Sequence, residues 1–384
     1  MRRATTAIVA VVVLAATLAA GASGSGFLRV GIFDDGQVLY GVPDEVFPLL
    51  RSTNARVVRV NLWWSGPALS VAKSKPRNAA SPSDPAYDWT TYDRTVRFAS
   101  ENGMQAVFSV VGTPRWANGG KGWNQAPTDA NDLRRFVVAA AKRYSGSFRL
   151  PDGFVLPRVS SWIAWNEPNN PVFLKPQFAR VGGKWQVRSA KDYARICNAV
   201  VAGVKSVSTG AKVACGVTAP RGNNNPSSAR PSVSPLAFAR ALHLAGAKGF
   251  DAYAHHPYYG TPVETPSTPP APGPKGQAPT AVTLGNLDVL IAEVNRLFGR
   301  KRFWITEYGY QTNPPDDFFG VTWAKQAQYL KEAVAIARKN PFVDMFLWFL
   351  LVDETRPEGW QSGLIAADGT RKPAITAFRK AALP

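Results

Sequence analysis

The stretch Val159-Ser-Ser-Trp-Ile-Ala-Trp-Asn-Glu-Pro-Asn169 runs apolar and aromatic and then ends on a carboxylate, Glu167. A second stretch, Arg302-Phe-Trp-Ile-Thr-Glu-Tyr-Gly309, does the same at Glu307. Near-continuous apolar runs are the pattern of strands covered on both faces of a parallel sheet. Working outward, we count eight such runs: Leu28–Phe33, Val57–Trp63, Gln105–Val111, Ser160–Trp165, Lys212–Val217, Phe250–His255, Phe303–Thr306 and Met345–Leu351. Helical patterns alternate with them. In Ser189–Ser206 the apolar residues Tyr193, Ile196, Val200 and Val204 recur at steps of three and four, and Thr128–Tyr144, Ala281–Phe298 and Gln326–Arg338 read similarly. Ser189, with Asp192 three residues later, reads as the cap of the first of these. A final helix is expected after Pro373.

Eight strand–helix repeats predict an α/β chain folded as a single (β/α)8 TIM barrel over residues 27–384, with long loops on its C-terminal face. An open doubly wound sheet is the alternative, but it would usually carry a glycine-rich phosphate turn after its first strand. Here that strand runs into Phe33-Asp-Asp-Gly36. Four loops after strands are long: Ser65–Asp84, Thr113–Ala126, Pro168–Arg188 and Gly260–Thr280. The last contains Thr268-Pro-Pro-Ala-Pro-Gly-Pro274 and reads as a loosely packed insertion or as a rim of the cleft.

The chain has 384 residues, 45% hydrophobic and 18% charged, with 12 tryptophans. Arg2 and Arg3, the apolar Ala7–Leu18 and Ala20-Gly-Ala22 read as a secretory leader over residues 1–22 cleaved near Ala22, the apolar stretch being short for a bilayer span, with an uncleaved anchor as the lesser alternative. We therefore expect export to the outside or to the cell surface. A formal charge of +19 suits association with an anionic cell wall or acidic glycan, or simply solubility. The basic residues are dispersed without a nucleic-acid motif, so no nucleic acid is expected. Cys197 and Cys215 are compatible with a disulfide or with two buried thiols.

Two carboxyl groups that meet across one cavity suit the cleavage of a glycosidic bond, one protonating the departing oxygen and the other attacking the anomeric carbon. Glu167, beside Trp165 and near a second negative charge, is expected to hold its proton. Glu307 is expected to stay ionised if Arg59 and a tyrosine hydroxyl point at it.

Trp165-Asn-Glu-Pro-Asn169 and Ile305-Thr-Glu-Tyr-Gly309 resemble the two signature segments of retaining glycoside hydrolases of clan A, most closely family 39, with family 5 next. The resemblance covers nearly all of the mature chain. It implies that Glu167, ending strand 4, is the acid/base and Glu307, ending strand 7, the nucleophile, as the strand count also places them. Arg59 resembles the clan's strand-2 arginine, and Thr113-Pro-Arg-Trp-Ala117 resembles a family 39-type segment. His256-Pro-Tyr258 resembles the clan's histidine–tyrosine pair, and Trp348 the tryptophan that floors the sugar subsite. The expected substrate-binding residues are thus Arg59, Asn166, His256, Tyr258, Trp348 and Trp116. Trp63, Trp64, Trp123 and Trp360 are further candidate sugar platforms, and Asp34, Asp35, Asp251, Asp353 and Glu354 are expected to hold loops.

No cofactor or metal is expected: the chain has three histidines and no His-Glu-x-x-His spacing. The expected protein is a monomeric hydrolase acting on carbohydrate by double displacement. The alternatives are a transglycosylase or a non-catalytic carbohydrate-binding protein on the same barrel.

Overall fold

The structure, a computed structural model, describes residues 28–273 and 276–383. The expected leader lies outside the described residues. Eight strands close into one parallel barrel: β1 (Arg29–Phe33), β2 (Val57–Trp63), β3 (Gln105–Val111), β4 (Ser161–Ala164), β7 (Lys212–Thr218), β8 (Ala252–His255), β9 (Arg302–Tyr308) and β10 (Val343–Phe349), which returns to β1. The expected strands agree with these to within about two residues at most ends, the usual scatter of strand boundaries. Between β4 and β7 the chain inserts an antiparallel hairpin, β5 (Phe178–Val181) and β6 (Lys184–Val187), where the sequence reads as loop.

The helices follow the strands in turn: α1 (Asp35–Tyr40) and α2 (Pro43–Ser52), α3 (Thr90–Glu101), α4 (Ala130–Arg143), α5 (Arg188–Val207), α6 (Pro235–Leu244), α7 (Leu287–Phe298), α8 (Trp323–Lys339) and α9 (Pro373–Ala381). Their starts follow local chemistry. Asp129 and Thr322 accept backbone N–H groups at the heads of α4 and α8, and proline stands at the head of α6 and α9. The expected cap of α5 is different. Val187 stands at the cap without a side-chain bond, Ser189 lies inside the first turn and donates to Gln177 Oε1 (3.3 Å), and Asp192 pairs with Arg188.

The core has two shells. Val57, Val107, Ile163, Ala214, Ala252, Trp304, Met345 and Leu347 fill the barrel interior. The outward residues of the same strands, such as Val58, Phe108, Trp162, Phe346 and Trp348, pack against the helices. Cys197 of α5 and Cys215 of β7 form a disulfide with their Cα atoms 5.9 Å apart. No described helix is long and apolar enough to cross a membrane.

Candidate active site

A cavity of about 900 Å³ opens at the C-terminal ends of the barrel strands, at the upper end of small-ligand cavities. Glu167 and Glu307 both line it. Glu167 arrives through a strained turn. β4 stops at Ala164, and Trp165 (φ 70°) and Glu167 (φ 37°) both take left-handed backbone, at a cost of roughly 1–3 kcal/mol each. The turn is pinned by Trp165 N–H donating to Val110 O (2.9 Å), by the Trp165 indole donating to Phe173 O (2.8 Å), and by Asn170 N–H donating to Glu167 O (2.9 Å).

Glu307 is aimed by a different device. Ile305 pairs with Phe346 and Tyr308 with Trp348, so β9 carries one residue more than β10 over that interval. Such a bulge re-aims a side chain. Trp304 faces the barrel interior, and simple alternation would turn Glu307 outward. The extra residue turns it into the cavity instead.

The two carboxyl groups meet around His256. One oxygen of each glutamate and a ring nitrogen of His256 all lie within 4.8 Å of one another. Arg59, fully buried on β2, ties the centre together. Its Nη1 donates to Glu307 Oε1 (2.9 Å) and to Thr306 O (2.9 Å), its Nη2 donates to Asn166 Oδ1 (2.7 Å), and its Nε donates to Ser109 Oγ (2.8 Å). The guanidinium lies 4.1 Å from the centre of the Phe33 ring, a cation–π distance. Tyr258 OH donates to the other Glu307 oxygen (3.1 Å). Burial and the two glutamates hold the Tyr258 hydroxyl well above its usual pKa, so it remains a donor.

The tautomer of His256 follows from its neighbours. His256 Nε2 faces the Thr306 hydroxyl (3.0 Å) and the Arg59 guanidinium (3.4 Å), whereas Nδ1 faces only carboxyl oxygens, so Nε2 accepts. The proton is then on Nδ1, 3.0 Å from Glu167 Oε1 and 3.5 Å from Glu307 Oε2. Burial, reinforced by Arg59 and opposed by Glu307, lowers the His256 pKa to about 4, so the ring is neutral at neutral pH.

The Glu167 carboxyl is pushed up to about 7 by burial, against the pull of the Asn170 amide (2.8 Å from Oε2) and the charges of Arg59 and Arg230. Burial rather than the charge of Glu307 raises it, because Glu307 is matched by Arg59. Glu167 thus sits where burial favours a bound proton, and Glu307 sits beside a buried guanidinium. Glu167, His256 and Glu307 are also the one trio of donors among the described residues with metal-ligand spacing. The Arg59 guanidinium already supplies a cation at this point, and a second would be repelled.

The structure thus brings Glu167, Glu307, Arg59, Asn166, His256 and Tyr258 into one network. Asn166 Nδ2 has no hydrogen-bond partner among the described residues and is free for a ligand at the cavity wall. Trp348 and Trp116 are not part of the site. Trp348 lies on the outward face of β10, fully buried, with its indole donating to Ser362 O (2.8 Å). Trp116 packs edge-on against Trp64 at 5.6 Å, away from the cavity. Trp63, Trp64 and Trp123 do not line the cavity either; Trp360 does, beside Phe33 and Phe349.

Asp34 holds a loop as expected, accepting Gln37, Leu351 and Val352 N–H. Asp353 does likewise, paired with buried Lys372. Asp35 departs from that role in part. It binds Asn61 through both oxygens (3.0 and 2.9 Å) but also lines the cavity, and burial pushes its carboxyl up to about 7. The ends of the proline-rich segment, Gly260, Thr280 and Ala281, form part of the rim. Asn61, Asn170, Arg221 and Arg230 also line the cavity, and only the adjacency of Asn170 to the Glu167 motif offered a sequence signal for any of them.

No protein-family model and no curated protein matches the chain. Among solved structures, a family 39 glycoside hydrolase from the gut symbiont Bacteroides cellulosilyticus WH2 aligns over 94% of this chain with a TM-score of 0.64 at 18% identity. The chain spans 64% of that protein's length. A glucosidase from Croceicoccus marinus aligns over 93% of this chain and 68% of its own (TM-score 0.64, 15% identity). A fungal β-1,4-galactanase structure aligns over 92% of this chain and 99% of its own (TM-score 0.57, 14% identity). At these identities the likeness shows a shared barrel fold.

Proposed function

We propose that this chain is an exported retaining β-glycosidase, a clan A enzyme most similar to family 39, that hydrolyses O-glycosidic bonds of an oligo- or polysaccharide. The observation that carries the reading is the approach of the two carboxyls to within 4.8 Å in opposite electrostatic settings. A nearest-oxygen approach within that bound is compatible with double displacement, whose carboxyls stand about 5–5.5 Å apart. The barrel shared with glycosidase structures and the signature segments support the same reading.

In the first step Glu167 gives its proton to the departing glycosidic oxygen while Glu307 attacks the anomeric carbon. The carbon–oxygen bond breaks, its electron pair leaves with the protonated alcohol, and a glycosyl ester forms on Glu307. In the second, the Glu167 carboxylate takes a proton from water as the water oxygen displaces Glu307. Glu167 is thereby reprotonated and the anomeric configuration is retained. Arg59 and Tyr258 hold the Glu307 carboxyl aligned between steps. Asn166 Nδ2 is placed to donate to the sugar 2-hydroxyl, a contact that strengthens at the transition state. Export rests on the leader read over residues 1–22, and the N-terminal mass of the secreted protein tests it.

The test of mechanism is an aryl glycoside panel. Turnover is expected to vanish in Glu307→Ala and to return partly with azide, which yields the glycosyl azide of the opposite anomeric configuration. An azide product of the substrate's own configuration would remove Glu307 from the role of nucleophile. Tight oligosaccharide binding with no turnover on any glycoside would replace the enzyme by a binding protein.

A further inference from the structure

The loop between β7 and α6, residues 219–234, places two arginines at the cavity, Arg221 and Arg230. The loop is built rather than draped. Asn169, from the Glu167 turn, accepts Ala219 N–H (2.8 Å) and donates to both Ala219 O (3.1 Å) and Val233 O (2.8 Å), pinning both ends. Asn223 donates to Arg230 O (2.9 Å) and accepts Ser232 N–H (3.1 Å), while Asn224 accepts Ser234 N–H (2.8 Å). A side chain at Gly222 would run into the Val233 backbone.

On this frame Arg221 is anchored by Nη1 donating to Tyr258 O (3.4 Å) and Tyr259 O (3.1 Å), and its Nη2 stands 3.9 Å from Glu264. Arg230 has neither an ion pair nor a side-chain hydrogen bond among the described residues, and its charge acts on Glu167. The acids that share the cavity do not answer it. Glu307 is matched by Arg59, and Glu354 is 3.3 Å from Arg356. Glu167 and Asp35 are both pushed by burial toward their neutral forms. The side of the cavity nearest the proton donor therefore carries unpaired positive charge on a concave wall, with both arginines exposed to an incoming ligand, where an opposite charge is favoured.

We propose that the 219–234 loop forms a cationic subsite that takes an acidic sugar unit, a uronate carboxylate, on the leaving-group side of the bond to be cleaved. The reading rests on the proposed hydrolase function for the placement of that bond, but the binding of an acidic unit stands on the arginines alone. A guanidinium presents parallel N–H donors that match the two oxygens of a carboxylate. A sulfate ester offers a related anion, and the experiment separates the two.

The test is a calorimetric titration of Glu167→Gln, whose amide copies the neutral carboxyl and prevents consumption of the ligand. Three trisaccharides are compared: one carrying a glucuronate, its methyl ester, and a neutral counterpart sulfated at the 6-position. The glucuronate is expected to bind up to about fivefold more tightly than its methyl ester, the upper end for a charge pair at exposed side chains. That ratio is expected to fall toward one when Arg230→Gln is added and to shrink as salt rises. Equal affinity for acid and ester, or a preference that survives both Arg230→Gln and Arg221→Gln, overturns the proposal. Tighter binding of the sulfated sugar than of the uronate overturns the carboxylate assignment. Because binding is read directly, these results are scored whether or not any glycoside is cleaved. Failure of the hydrolase reading shows separately, as absence of turnover across the aryl glycoside panel.

Discussion

Arg59 Nη1 lies 2.9 Å from Glu307 Oε1, in an ion pair whose guanidinium is wholly buried. The same guanidinium donates to Asn166 on the opposite side of the cavity, so one residue of β2 sets the distance between the β4 and β9 segments. Removing one partner of a buried pair leaves the other charge uncompensated, at a cost of about 3–5 kcal/mol. Arg59→Met is expected to lose stability on that scale in denaturant titration. On an aryl glycoside its kcat/KM is expected to drop roughly 10²–10³-fold, the scale for loss of a preorganised electrostatic group. Arg59→Lys keeps the charge but not the fork, and is expected to fall between the two. Undiminished turnover in Arg59→Met would detach Arg59 from Glu307 function.

The Glu167 carboxyl, at about 7 against a usual value of 4.5, sets a pH dependence with a defined sign. The free enzyme must hold this proton for the first step, so kcat/KM is expected to fall as pH rises through about 7. His256 donates to Glu167 Oε1 and thereby favours the anion; His256→Ala removes that donor and is expected to move the limb to higher pH. Stability follows the same group. The folded state holds a proton that the unfolded chain releases near 4.5, so the contribution of this group to stability is greatest below that value and declines as pH rises through about 7. Glu167→Gln has no such proton. It is expected to melt close to the wild type at pH 4 and above it at pH 8, by at most on the order of 3 kcal/mol. An unchanged gap between the two melting curves from pH 4 to pH 8 would contradict the raised carboxyl.

Trp348 and Trp360 make opposite predictions. Trp348→Ala empties a fully buried site in the shell between barrel and helices and is expected to cost about 3–5 kcal/mol of stability. Trp360 lines the cavity, is 41% exposed and leans on Tyr258 at 5.6 Å. Trp360→Ala is expected to leave the melting temperature nearly unchanged and to raise KM by about tenfold or less, the scale of an aromatic stacking contact. A reversed pattern would return the sugar platform to β10.

That pair also marks where sequence reading stops. The barrel was legible because strands covered on both faces write long apolar runs, and the two glutamates were legible because each breaks such a run at its end. The same two-faced burial hides direction: β10 is apolar from Met345 to its end, so nothing in Met345–Phe349 tells that Leu347 faces in and Trp348 out. The Glu307 bulge is equally silent, since an extra residue in a ladder exists only relative to its partner strand. The β5–β6 hairpin consists of short strands of mixed polarity around Gly182 and Gly183, without sustained alternation. Asn61, Arg221 and Arg230 become site residues only when three strand ends converge, and no periodicity records that.

The Cys197–Cys215 bond belongs to the same class of tertiary fact, and it bears on where the protein works. It ties α5 to β7, neighbours in the wall of the barrel, across a sequence separation of 18 residues. Closing a loop of that size in the unfolded chain is worth about 3 kcal/mol in the chain-entropy account. Such a bond persists in an oxidising compartment and is rare where glutathione keeps thiols reduced. The export proposed above would give this bond such a setting. The protein, unfolded without reductant, is expected to show no free thiol. Reductant is expected to lower its melting temperature, while a Cys197→Ala, Cys215→Ala double variant melts at the lower temperature with or without reductant. Two titratable thiols would instead make both residues plain core cysteines.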